Sequence, residues 1–449
     1  MLLSCHGRKA LPNFICPTSF DTEKTYNISF WAKNDSNPTQ RRIFENAVKD
    51  FNEFYPNIHI TIKHFTSYPE LYQTIITNIG TNTTPNVAIT YPDHVATYLE
   101  NPTTIIELED IANDSRFGLG GSEVKFKSVG LNEFVSSYIK EGYLIQDGLE
   151  KLYTLPFMRS TEVMYVNKTW LLEHQFALPQ NNIFTWDYVW EIARYARSID
   201  EKMIPLVYQS SDNFFIELAY QNGYPYTNKQ GDILFDNKQN KQMILDLNAK
   251  FKEHLYITKA NTGDYPGDRL NNGTAIFGID SSAGSTWIGP NSPLSETKGE
   301  DFEVLVTTVP QVDSSNPMTI SQGPSLCVFN KSDAGEVLAS WLFAQYLLTT
   351  DVQIAYAKTE GYSPVTMTAI YDDNFQAFLR SEETYYVQRE AINNVIAFRD
   401  KSFITPAFNG STKVRENVGR IIDKASLSYK KELDIEAIFK QAMIDSGLI

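Results

Sequence analysis

The sequence predicts an α/β protein of two lobes, each a mainly parallel sheet flanked by helices, with extended hinge crossings between them. Three observations carry this. The 449 residues exceed the length at which one hydrophobic core keeps growing, so two globular units of roughly 150–200 residues each are expected. The chain opens as strand, helix, strand with short connections, the βαβ unit of a parallel sheet. No low-complexity tract or long flexible linker separates the halves, and extended apolar segments recur mid-chain as crossings between lobes would.

Taken in order, Asn27-Ile28-Ser29-Phe30-Trp31-Ala32 alternates as a strand. Ile43, Phe44, Ala47, Val48, Phe51, Phe54 and Tyr55 then recur at three- to four-residue spacing, which predicts a helix that Pro56-Asn57 stops. Ile58-His59-Ile60-Thr61-Ile62-Lys63 is a period-two strand, followed by a helix over 69–80, a strand at Asn86-Val87-Ala88-Ile89-Thr90 and a helix over 94–98. In such sheets ligands sit outside the carboxyl ends of the strands, where loops lead into helix N-termini. Ser67-Tyr68 and Tyr91-Pro92-Asp93 stand at those ends.

Residues 110–150 are less regular and elaborate the first lobe. A second βα system starts at Leu155-Pro156-Phe157, with a strand at Glu162-Val163-Met164-Tyr165-Val166-Asn167 and a helix from Trp170. Thr185 is the expected N-cap of an amphipathic helix through Tyr195. Strands at Ile204-Pro205-Leu206-Val207 and Thr274-Ala275-Ile276-Phe277-Gly278-Ile279 follow, the latter running into the Ser-rich turn 280–285. An extended crossing over 304–310, a strand over 320–325 and a helix over 334–348 come next. The remainder is mostly helical, broken at Gly361-Tyr362-Ser363-Pro364 and at 406–410. These signals divide the chain into a leader, 1–24, a first lobe, 25–156 and 310–360, and a second lobe, 157–309 and 361–449.

Composition excludes several functions. With 39 Lys+Arg against 54 Asp+Glu, a net charge of -15, the average field repels a phosphate polymer, so no nucleic-acid partner is expected. The 25 Tyr and 27 Phe fill cores and leave rings for a stacking pocket. The three cysteines, Cys5, Cys16 and Cys327, lack the spacing of a zinc or redox motif, and neither metal nor cofactor is expected. Cys327 lies in an apolar run that reads as a buried strand. The six histidines are scattered, and no nucleophile elbow or phosphate loop is present, which argues against a secreted hydrolase. Leu2-Leu3-Ser4-Cys5 has the Leu-x-small-Cys form of a lipoprotein acylation site, making residues 6 to about 24 a tether and Cys5 the lipidated residue; the charged and apolar regions that ordinarily precede such a site are missing.

Two stretches resemble a known family. The segment 155–168 is similar to that in which family 1 extracellular solute-binding proteins cross between lobes. The run 341–364, with Asp351-Val352-Gln353 and Gly361-Tyr362-Ser363-Pro364, is similar to their Asp-Val-Gln helix and Gly-Tyr-x-Pro turn. The resemblance implies the type II periplasmic-binding-protein (Venus-flytrap) fold and a monomeric, extracytoplasmic, lipid-anchored subunit of an ABC transporter. Such a subunit traps a small molecule between its lobes, delivers it to the permease subunits and performs no chemistry on it.

Within that family the sequence most resembles the glycerol-3-phosphate and glycerophosphodiester binders, whose motif residues match Tyr68, Ser160, Ser282, Gly323, Tyr362 and Arg415. The resemblance implies Arg415 as a bidentate clamp for a phosphate or vicinal hydroxyls, with Ser160, Thr161, Ser281, Ser282 and Gly323 as an uncharged cradle. Tyr68, Tyr91, Tyr362 and Trp186 are candidates for an apolar wall; for Trp186 core packing is the equal alternative. Where those proteins read Tyr-Glu, this chain reads Tyr91-Pro92-Asp93. Asp93 is therefore either a displaced hydroxyl acceptor or a helix N-cap, and a carbohydrate or other polyol is the alternative ligand.

Overall fold

Two five-stranded sheets carry the fold. The computed structural model describes residues 11–33, 38–81, 83–297, 299–427, 429 and 432–447; Cys5, the expected acylation site, lies outside them. In the first sheet the order is Ile58–Phe65, Tyr26–Lys33, Val87–Thr90, Ser325–Val328, Leu155–Pro156. The first three are parallel, as the βαβ opening requires, joined by the helices Pro38–Phe54 and Tyr68–Thr81. Ser325–Val328 arrives from the other lobe and is antiparallel to both neighbours. The second sheet runs Val304–Thr308, Glu162–Asn167, Phe277–Ser281, Leu206–Tyr208, Tyr256–Thr258. Its last three strands are parallel, and Glu162–Asn167 is antiparallel to both strands beside it.

Each sheet has its own core. Phe30, Phe44, Phe51 and Trp341 are fully buried in the first. The helix Ala334–Leu347 is apolar on nearly every side and buried on nearly every side, as a helix without a polar face must be. The polar atoms of Trp341 and Gln345 both donate to the Phe117 carbonyl, at 2.8 and 2.7 Å, which ties the irregular 110–150 region to this helix. In the second core Trp186, Phe214 and Tyr256 pack around the helix Trp186–Ile199, whose N-cap Thr185 accepts from Tyr188 N at 3.3 Å.

Three extended segments meet between the lobes. Arg159 and Ser363 exchange backbone hydrogen bonds of 3.1 and 2.8 Å, and Ser160 and Gln322 exchange bonds of 2.9 and 3.0 Å. Gly323 makes this approach possible: at φ 121° a Cβ there would stand 2.3 Å from the Met158 carbonyl oxygen, so only glycine fits. The expected strand over 320–325 is in fact two: Thr319–Ile320 pairs with Ser402–Phe403, and Ser325–Val328 joins the first sheet, with the Gly323 turn between them. Cys327 is fully buried in the latter.

Other expectations differ from the structure. Residues 11–24 do not trail free, because Phe14, Cys16 and Phe20 pack against the first core and Phe20 stacks on Tyr26 at 5.1 Å. Residues 361–380, expected in the second lobe, instead place Tyr362, Val365, Ile370, Phe375 and Leu379 in the first core. The helix Tyr386–Phe398 then bridges, with Ile392 in that core and Val387 and Ala391 against the strand Val304–Thr308. The helices Ser211–Gln221 and Lys238–Lys252 add to the expected elements of the second lobe.

Candidate functional site

Strand ends, helix starts and crossings enclose a cleft of about 720 Å³ between the lobes. The first lobe contributes Tyr68, at the start of its helix, and Tyr91-Pro92-Asp93 after the strand Val87–Thr90. Pro92 occupies the first helical turn, where its missing N–H costs nothing. The Tyr68 and Tyr91 rings lie 4.5 Å apart between centroids, and Tyr362, 6% exposed, completes an aromatic wall. Ser160 and Gly323 of the crossings form the floor, and Ser281 ends the second-lobe strand Phe277–Ser281.

Arg415 projects from the second-lobe helix Ser411–Ala425. Its Nη2 donates to Asp212 Oδ2 at 2.9 Å and to Asn213 Oδ1 at 2.5 Å, and Nη1 donates to Thr405 Oγ1 at 3.3 Å. Burial works against the charge, but Asp212, with Tyr226 and Asp93, outweighs it and holds the guanidinium protonated above its ordinary value. Much of the fork is thus already engaged by protein acceptors.

Asp93 does not cap its helix, where Tyr91 holds the N-cap position. Its carboxylate accepts from His94 N at 3.0 Å and from the Thr412 hydroxyl of the other lobe at 3.1 Å. Beneath the floor Arg159 is fully buried, donating to the carbonyls of Met158, Gly323 and Pro324 and pairing with Glu141 at 2.6 Å. Burial raises the Glu141 carboxyl, and the Arg159 charge opposes that. Burial likewise lowers His94, against the pull of the Asp93 charge.

Eight of the residues singled out from the sequence line this one cleft: Tyr68, Tyr91, Asp93, Ser160, Ser281, Gly323, Tyr362 and Arg415. Three do not. Thr161 is buried below the floor, its hydroxyl spent on Thr319 and on the Ile320 carbonyl, and Ser282, equally buried, holds the Thr161 backbone. Trp186 is a core ring stacked on Trp190 and Phe214, with its N–H donated to Gln221 at 3.2 Å. Among the lining residues that sequence reading missed are Glu141, Asp212, Asn213, Thr412, Glu416, Arg420 and Asp423. Asp212 and Asn213 could have been found, since Gln209-Ser210-Ser211-Asp212-Asn213 leaves the carboxyl end of the strand Leu206–Tyr208 and opens a helix.

Among the described residues no group of three or more His, Cys, Asp or Glu side chains is placed to hold a metal ion, and no helix is long and apolar enough to cross a membrane. Residues 46–378 match the family model described as bacterial extracellular solute-binding protein. The chain belongs to that family.

This solute-binding protein shares its fold with solved two-lobe proteins. An ABC substrate-binding protein from Listeria monocytogenes, in complex with cycloalternan, matches at a TM-score of 0.69 and 16% identity over 95% of this chain and 100% of that one. UgpB from Mycobacterium tuberculosis, in complex with glycerophosphocholine, matches at 0.69 and 15% over 94% and 97%. The maltose-bound MalE3 of T. maritima matches at 0.65 and 16% over 93% and 99%. No curated protein sequence matches the chain. Family membership makes the protein an extracytoplasmic small-molecule binder of the importer class.

Proposed function

We propose that this solute-binding protein captures a neutral, polyhydroxylated ligand of carbohydrate or polyol type and presents it to the permease subunits of an ABC importer. The observation that carries this is the charge of the cleft. Asp93, Glu141, Asp212, Glu416 and Asp423 line it against the guanidiniums of Arg415 and Arg420, with Arg159 beneath the floor neutralising Glu141, and Arg415 is already paired with Asp212 at 2.9 Å. A phosphate dianion entering there meets unfavourable Coulomb energy. Carboxylates, amides and serine hydroxyls suit sugar hydroxyls, and Tyr68, Tyr91 and Tyr362 suit the C–H face of a sugar ring.

In this reading the crossings 157–161, 319–323 and 361–364 act as the hinge, and one lobe rotates onto a ligand held by the other. No bond of the ligand is made or broken. Attachment to the membrane through a lipid on Cys5, and a monomeric working state, belong to the same proposal.

A second reading, a glycerol phosphate or glycerophosphodiester, is favoured by Arg415 and Arg420 facing the cleft from one helix. Calorimetry with maltose, maltotriose, glycerol 3-phosphate and glycerophosphocholine separates the two. Sugar binding that persists at reduced affinity in Arg415→Ala supports the first reading. Binding of a phosphorylated glycerol alone, abolished by Arg415→Ala, overturns it in favour of the second.

A further inference from the structure

Glu162 begins its strand directly after the 157–161 crossing and is 1% exposed. It does not line the cleft. Its Oε1 accepts from Asn213 Nδ2 at 2.8 Å, and its Oε2 accepts from the Tyr208 hydroxyl. Asn213, also buried, turns its Oδ1 to Arg415 Nη2. A side-chain amide has one accepting and one donating end. With Nδ2 held by Glu162, the accepting end faces Arg415. Released, the amide could present its NH2 to a guanidinium that only donates.

The hinge reaches the backbone of Glu162 and the neighbouring carboxyl of Glu217. Thr319 Oγ1 donates to the Glu162 carbonyl oxygen at 3.4 Å, and Ile320 N donates to Glu217 Oε1 at 2.8 Å, both from one crossing. We propose that Glu162 is a positioning residue for Arg415, acting through Asn213, so that the orientation of the guanidinium in the cleft is set from the hinge. The inference rests on the reading of Arg415 as a cleft residue that meets the solute, but its test needs no solute. Glutamine retains an oxygen that accepts from Asn213 and gains an amide NH2 that donates to the Tyr208 hydroxyl oxygen, so Glu162→Gln preserves the relay, whereas Glu162→Met removes it.

The experiment is nitrogen-15 NMR of the arginine guanidiniums in the full chain, with the Arg415 signals assigned by their loss in Arg415→Lys. A guanidinium held by three acceptors gives separate Nη–H signals in the wild type and in Glu162→Gln. Those signals collapse to an exchange-averaged one in Glu162→Met and in Asn213→Ala. The second of these covers the case in which Glu162→Met does not fold. Averaged signals in the wild type, or separate signals in either relay-breaking variant, overturn the proposal. In maltotriose titrations Glu162→Met and Arg415→Ala each weaken affinity about tenfold, the effect of one lost hydrogen bond to a charged group, and the double variant is no weaker than either. Failure of maltotriose to bind counts against the carbohydrate reading, while the NMR result stands by itself.

Discussion

Thr412 of the second lobe donates its hydroxyl to Asp93 of the first at 3.1 Å across the mouth of the cleft. Beside it Asn409 donates to Glu100 at 2.9 Å, and Ala407 packs against the first lobe's Trp31–Phe65 cluster. These contacts join the two lobes directly across the cleft. Asn409→Ala combined with Thr412→Val should enlarge the radius of gyration of the ligand-free protein and lower solute affinity about fivefold, the worth of about 1 kcal/mol of hydrogen bonding. Unchanged small-angle scattering would show that these contacts do not hold the lobes together.

Asp212 occupies the arm of Arg415 that a phosphate would need. Removing its charge in Asp212→Asn leaves the guanidinium less satisfied and the cleft less negative. Affinity for glycerol 3-phosphate should rise at least about tenfold, since one charge at close range is worth more than 1 kcal/mol at the edge of a protein. Calorimetry at low and at physiological salt checks this, and a gain that does not shrink with salt would contradict its electrostatic origin.

Gly323 has no room for a methyl group and sits at φ 121°. Gly323→Ala should cost roughly 2–4 kcal/mol from backbone strain and overpacking, read as a lower denaturant midpoint. A variant as stable as the wild type would mean that the crossings separate easily.

Glu217 is fully buried, and burial, partly offset by the hydrogen bond from Ile320 N, raises its carboxyl to about 8 from an ordinary 4.5. Between those values the folded protein keeps a proton that the unfolded chain has lost, so this group makes stability fall as pH rises from 4.5 to about 8. The slope it contributes is at most about 1.4 kcal/mol per pH unit. Chemical denaturation between pH 5 and 8 should show the decline, and Glu217→Gln should flatten it; an equal slope in both proteins would assign the effect elsewhere.

Trp186 separates core from site. Trp186→Ala should destabilise by about 3–5 kcal/mol, and Trp186→Phe by less, while solute affinity in Trp186→Phe stays within twofold, a margin of about 0.4 kcal/mol. A larger loss of affinity in the phenylalanine variant would return this ring to the site.

Much of the fold was legible because local patterns constrain local structure. Alternation over 27–32 gives a strand, whose Phe30 and Trp31 are buried on opposite faces, Pro56 ends the helix before the next strand, and Thr185 caps its helix through its own hydroxyl. The strand-end rule brought Tyr68, Tyr91 and Asp93 to the cleft, and the family resemblance added Ser160, Ser281, Gly323, Tyr362 and Arg415. It was less useful where a signal has two meanings. Trp186 and Ser282 have the composition of a binding wall, but side-chain type does not say which face a residue occupies once both faces of its element are covered.

The sequence by itself determined the opening strand–helix–strand order, the two-lobe architecture and the first-lobe strand ends from which a cleft is built, since periodicity, turn residues and caps act over a few residues. Only the tertiary structure decided that Arg415 faces Asp212, that Asp93 meets Thr412, and that residues 361–380 join the first core. An amphipathic helix states that one face is buried without naming what covers it, and a charged side chain states that it needs a partner without naming which. Those choices are made by packing between segments some 200–320 residues apart, where shape and desolvation favour the arrangement that gives these buried charges their partners.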